Sequence, residues 1–175
     1  PQLRPALADA GVDVSDYDDL TAEQRQRLRD RFEESILPTL TPLSFDPAHP
    51  FPFISNLSLS LAVLSRSDAG SEVTFTRIKV PPNQSRLVEV DDDPRTYVLL
   101  EAVIEANLDL LLPDLEIVDV SRFRVTRNAE VRRNEEVAED LIEVIEEIIE
   151  QRRFATIVRL EVSDDIPDRS LAVLT

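Results

Sequence analysis

The order of apolar patterns along the chain predicts an α+β fold, a mostly antiparallel sheet with helices packed on one face. Alternating apolar residues mark three early strands whose short connections leave no room for crossover helices, so they run antiparallel. Helical stripes then alternate with later strands, and those helices are expected to cover one sheet face. The chain has 175 residues, 42% of them hydrophobic, which suits one domain with one core and excludes a disordered chain.

Residues 1–20 read as a connector with one short helix over residues 5–10, ended by Gly11 and an acidic turn. Thr21 followed by Gln24 makes a capping box, and a helix is predicted from there to about residue 37, with Leu28, Phe32 and Ile36 on one face. Pro38 and Pro42 stop it. The prolines of residues 38–56 leave no room for a regular element. Phe45, Phe51, Phe53 and Ile54 interleave with them, so the segment is expected to be ordered, with Phe51 or Phe53 buried beside the first strand.

Leu57, Leu59, Leu61 and Val63 alternate with Ser58, Ser60 and Ala62, the pattern of a half-buried strand. A turn at residues 68–70 leads to a second strand, 73–80, where the apolar phase shifts between Phe75 and Ile78 and suggests a bulge. A third strand spans 87–90 and is followed by an acidic turn at 91–93. A helix comes next, with Val103, Ile104, Leu108 and Leu111 inward and Pro113 closing it. A long strand covers 116–127. The strongest helical pattern runs over 134–153, capped by Asn134, and a last strand occupies 157–162.

The net charge is −16, from 35 acidic and 19 basic residues, and a surface this acidic repels nucleic acid and anionic membranes. Scarce lysine, Lys79 alone, and excess acid resemble a halophile's surface as readily as that of an ordinary acidic protein. No apolar run approaches the ~20 residues of a membrane span, and no signal pattern opens the chain. With no cysteine there is no disulfide and no thiolate chemistry, and a cytoplasmic setting is the simplest expectation. The lack of methionine and the apolar end of the sequence suggest part of a larger protein.

Chemistry-bearing motifs are few. With only two glycines, Gly11 and Gly70, no phosphate-cradling glycine loop exists. His49 stands alone between prolines and makes a poor metal ligand. Glu139, Glu143, Glu146, Glu147 and Glu150 follow helical spacing and read as a solvated face, so neither a catalytic nor a metal residue is assigned. One contrast remains. Arg122, Arg124, Arg127, Arg132 and Arg133 cluster within the acidic chain. If Phe123 and Val125 point into the core, alternation sends Arg122 and Arg124 to the opposite sheet face, with Arg127 and Asn128 at the strand end. Such residues can hold a phosphate chain or dock an acidic neighbouring domain; equally, they can pair with nearby carboxylates such as Glu116, Asp119 or Glu130.

The stretch Leu40-Thr41-Pro42-Leu43-Ser44-Phe45-Asp46-Pro47-Ala48-His49-Pro50-Phe51-Pro52-Phe53-Ile54-Ser55-Asn56-Leu57-Ser58-Leu59 closely resembles the middle domain of polyphosphate kinases. Arg122-Phe123-Arg124-Val125-Thr126-Arg127-Asn128-Ala129, Lys79-Val80-Pro81-Pro82 and Val158-Arg159-Leu160-Glu161-Val162 fit the same pattern. The resemblance implies a middle domain over residues 18–175, with residues 1–17 the connector from a preceding N-terminal domain. It implies a parent phosphotransferase that moves the terminal phosphate of ATP to and from inorganic polyphosphate, with magnesium, through a phosphohistidine. That histidine belongs to C-terminal catalytic domains, and His49 does not match it. The domain itself is expected to be inactive, to support homo-oligomer contacts and to frame the active-site tunnel. A free-standing acidic interaction module is the alternative expectation.

Overall fold

The computed structural model describes residues 3–45, 53–67, 73–90, 95–128 and 155–175. The expected helix over 134–153, the turns at 68–70 and 91–93, and His49, Phe51, Glu130, Arg132 and Arg133 lie outside them.

Helix α1 (Leu3–Asp9) ends at Gly11, whose φ of 78° lies in the left-handed region that glycine adopts without strain. Strand β1 (Asp13–Val14) follows. Thr21 then caps α2 (Ala22–Arg31): its side chain accepts from the Gln24 amide while the Gln24 side chain accepts from the Thr21 amide. Both bonds satisfy backbone donors that a helix start leaves orphaned, so Thr21→Ala should lower stability by about 1 kcal/mol, measured by urea unfolding. The helix widens into a π-turn over Phe32–Ile36 and tightens into a 3₁₀ turn over Leu37–Thr39, keeping Leu28, Phe32 and Ile36 buried.

The main sheet has strand order β2-β4-β3-β7-β8, with β2 (Pro42–Phe45), β3 (Leu59–Ser67), β4 (Val73–Lys79), β7 (Leu115–Arg127) and β8 (Ile157–Val162), every neighbour antiparallel. A smaller sheet sets β6 (Thr96–Leu99) between β1, which runs parallel to it, and β5 (Leu87–Glu89), which runs antiparallel. Strand β6 runs directly into α3 (Leu100–Ala106) and α4 (Leu108–Leu111).

Several expectations change here. The proline-rich segment does contain a strand. Pro42 is its first residue and β2 lies at the sheet edge, where a missing amide proton costs no ladder bond. Strand β3 is buried on both faces rather than one: Leu61 and Val63 belong to one apolar cluster, Ala62 and Leu64 to another, and Ser60 is buried too. The same two-sidedness removes the bulge expected in β4. Its register against β3 is continuous, and Phe75 and Ile78 simply face opposite clusters. Register shifts occur instead beside Leu64 in the β3–β7 pair and beside Thr126 in the β7–β8 pair.

Residues of α2, α3 and α4 cover the Leu61 face. The Phe123 face receives Ile54 from the proline-rich segment together with Val173 and Leu174 from α5 (Asp168–Leu174). No element is predicted from the sequence for that last apolar stretch, which forms this helix. Of the two rings offered for burial beside the first strand, Phe51 lies outside the described residues and Phe53 is half-buried, while Ile54 takes a buried position next to it.

Candidate functional site

Strand β7 places the arginines as alternation predicts. Phe123 and Val125 are buried on one face, while Arg122 and Arg124 stand opposite Leu61 and Leu59 of β3 on the other. That face is not open along its length, because α2–α4 cover most of it, and the two arginines lie at its margin with side chains 39% and 43% exposed.

Each is moored. Arg122 donates from Nε (3.1 Å) and Nη2 (2.6 Å) to Glu105 of α3. Arg124 donates from Nε (2.8 Å) and Nη2 (3.1 Å) to Glu161, its neighbour across the ladder in β8. The hydrogen bond to Arg124 holds the Glu161 carboxyl below its ordinary pKa and raises that of the guanidinium. Local pairing is therefore real, but the partners come from other elements. Glu116 lies by Arg66 instead (3.7 Å), and Asp119 accepts from Ser121 and Ser170.

Arg127 does something different. It donates to the backbone carbonyls of Ile54 (3.0 Å) and Ala155 (2.6 Å), and its guanidinium lies 4.8 Å from the centre of the Phe53 ring. The Asn56 side chain accepts from its amide at 2.8 Å. The Asn128 amide bonds the Thr156 carbonyl at 2.9 Å. Buried Arg77 completes the clamp, donating to the Phe53 carbonyl (2.9 Å) and to Ser60 (3.2 Å). Burial lowers the Arg77 pKa. Two guanidinium groups thus tie residues 53–56 to the sheet.

The structure brings further cations to Arg124. A cavity of about 430 Å³ opens where β4 ends and β3 begins, with Lys79, Arg86 and Arg124 at its margin. Leu57, Leu59, Val80 and Leu100 form its apolar wall, and none of its lining residues is acidic. An adjoining cavity of about 340 Å³ shares Leu59, Arg86 and Arg124 with it and reaches Arg122. Arg86 donates through Nε and Nη2 to Glu101, which is buried. Those bonds raise the Arg86 pKa, against the opposing effects of burial and of the nearby Arg124 charge. A third cavity, about 370 Å³, is lined by Arg4 and Arg122 but also by Asp16, Asp18 and Glu105, so carboxylates outnumber cations there. Among the described residues no three of His, Cys, Asp and Glu gather as a metal-ligand cluster, and no helix is long and apolar enough to cross a membrane.

Residues 23–175 match the family model described as the polyphosphate kinase middle domain. The chain belongs to that family. It is 44% identical, over 98% of its length, to the polyphosphate kinase of Mycolicibacterium gilvum (strain PYR-GCK), and 42% identical over 98% to that of Mycobacterium avium (strain 104). This middle-domain chain spans about a quarter of the length of those relatives, 24% and 25%. Its fold resembles the crystal structure of polyphosphate kinase from Porphyromonas gingivalis with a TM-score of 0.73 at 22% identity, over 99% of this chain and 24% of that one.

Sequence reasoning found Arg122 and Arg124 through strand alternation. It noted Lys79 only as the lone lysine within Lys79-Val80-Pro81-Pro82, and it missed Arg86. The approach of Arg86 to Arg124 depends on how the middle domain's small sheet sits against the main one, which no local pattern encodes.

Proposed function

We propose that the domain serves as the non-catalytic middle domain of a polyphosphate kinase, in which it supports assembly and frames the active-site tunnel. The parent enzyme in this reading reversibly transfers the terminal phosphate of ATP to inorganic polyphosphate through a phosphohistidine, with magnesium, in the cytoplasm. ATP, ADP, magnesium and the phosphohistidine belong to its C-terminal catalytic domains, and residues 1–17 connect back to an N-terminal domain. The full-length protein works as a homo-oligomer.

The observation that carries the role is the pair Arg122 and Arg124. Each is fixed in direction by a carboxylate from another element, yet each stays partly exposed at the margin of a sheet in a chain of net charge −16. Fixed, exposed guanidinium edges suit bidentate docking to an anionic neighbour. Exposed ion pairs contribute little to folding, so their geometry has another use. Arg122→Ala and Arg124→Ala, made in this chain and in the full-length enzyme, test it. The variants of this chain should melt close to the parent, while the full-length variants lose chain synthesis or subunit association. Full-length variants that keep both would overturn the docking role.

A further inference from the structure

Leu57 stands in a conformation that its own side chain disfavours. The Ser58 amide donates to the Ser55 carbonyl at 3.3 Å and closes a four-residue turn, in which Leu57 takes the third place with a φ of 58°. Glycine or asparagine fills such a place without strain, whereas the Cβ of leucine crowds the following carbonyl in this left-handed region. Among the described residues no other non-glycine has a positive φ. The turn is held from two sides. The Leu57 amide donates to the Val125 carbonyl at 2.9 Å, and the Asn56 side chain accepts from the Arg127 amide at 2.8 Å. Burial does not offset the strain, because Leu57 is 58% exposed. A large apolar side chain that is strained, rigidly held and left in water points to a contact made outside this chain.

We propose that Leu57 is the anchor of an apolar docking surface, occupied by an apolar, carboxylate-bearing segment of the parent polypeptide from outside these 175 residues. The inference rests on the proposed role as one domain of a larger enzyme, and it adds an apolar contact to the arginine docking. The part outside is the larger one, since the chain spans 24% and 25% of the length of its relatives. Leu57 borders the cavity of about 430 Å³, whose wall continues with Leu59, Val80 and Leu100. A partner side chain therefore meets a projecting leucine and a hollow beside it, the relief that anchors a contact. Charge at the rim sets the partner's chemistry. No carboxylate lines the cavity, and Arg124 is already moored to Glu161. Lys79, the last residue of β4, has neither an ion pair nor a hydrogen bond among the described residues. A carboxylate beside the partner's apolar side chain would pair with it. A second copy of this chain fits less well, because two surfaces of net charge −16 repel.

The chain has no cysteine, so Leu57→Cys places a single thiol at the turn. Its reaction with a maleimide is followed by mass spectrometry of the peptide that carries residue 57, in this chain and in the full-length enzyme. The thiol should react at least about tenfold more slowly in the full-length enzyme than in this chain. Lys79→Glu, added to both proteins, should reduce that ratio at least about threefold, because it sets like charges against each other. Leu57→Asn should leave this chain melting no lower than the parent, since asparagine accepts the left-handed place. Equal labelling rates in the two proteins overturn the docking surface. Protection that disappears when the full-length enzyme is diluted to single subunits, or that this chain shows by itself at high concentration, replaces the proposed occupant with a second copy and overturns it. An unchanged ratio in Lys79→Glu overturns the carboxylate-bearing partner, and a lowered melting temperature in Leu57→Asn overturns the strain from which the inference starts. The arginine docking is read from chain synthesis and subunit association, so either reading can fail while the other stands.

Discussion

Phe123→Ala is expected to destabilise the chain by ~3–5 kcal/mol, the usual result of emptying a fully buried phenylalanine position. Phe123 is 1% exposed and packs in one cluster with Ile54, Ala62, Leu64, Phe75 and Val125. Alanine would leave a void there that Ala62 is too small to fill and that the β3–β7 ladder cannot close by sliding. A one-residue slip would turn Arg122 and Arg124 into the same core. Phe53→Ala provides the comparison. That ring is half-buried beneath the Arg127 guanidinium, and its loss should cost below about 2 kcal/mol. Urea unfolding of both variants decides. Comparable losses at the two positions would mean that the Phe123 cluster is not a core in its own right.

The pattern in β7 was legible because its two faces differ so sharply: bulky apolar Phe123 and Val125 against charged Arg122 and Arg124. The start of α2 was legible because the Thr21–Gln24 capping box is a local interaction, complete within four residues. Strand β3 misled for the opposite reason. Ser60 and Ala62 look like an exposed face, yet both are fully buried, since small side chains let the proline-rich segment approach the sheet. Burial on a second face leaves little trace in periodicity when the residues there are small.

Of the proline-rich segment, residues 38–45 and 53–56 are described, and the reading that it lacks any regular element fails at β2. Its described end is held by a pair of buried or half-buried arginines donating to backbone carbonyls, Arg77 to Phe53 and Arg127 to Ile54. Neither bond could be foreseen, because a carbonyl acceptor carries no side-chain signature. The candidate site suffered from the same limit. The alternation of β7 pointed to Arg124, but the cavity beside it is completed by Arg86, 38 positions earlier, and by Lys79 at the end of β4. Cationic residues spaced this far apart acquire meaning only once the sheet order β4-β3-β7 is known.

Arg86→Ala is the second substitution expected to have a large effect, and its reason lies beneath the cavity rather than in it. The Glu101 side chain is 2% exposed, while its partner Arg86 is 60% exposed, so the pair has one buried and one wet member. Removing the wet member leaves a carboxylate inside α3 without its cation, among Leu100, Val103 and Ile104. Breaking a fully buried pair costs ~3–5 kcal/mol; because water already reaches the Arg86 side, about 2–3 kcal/mol is expected here. The source of that cost can be isolated. Glu101→Leu combined with Arg86→Ala removes the stranded charge and should recover most of the lost stability, since a buried pair replaced by apolar groups is often close to neutral. Urea unfolding at pH 7 of the parent, the single variant and the double variant gives the three values. If the double variant is no more stable than Arg86→Ala alone, Arg86 acts through its packing against the small sheet, and the stranded-carboxylate account is wrong.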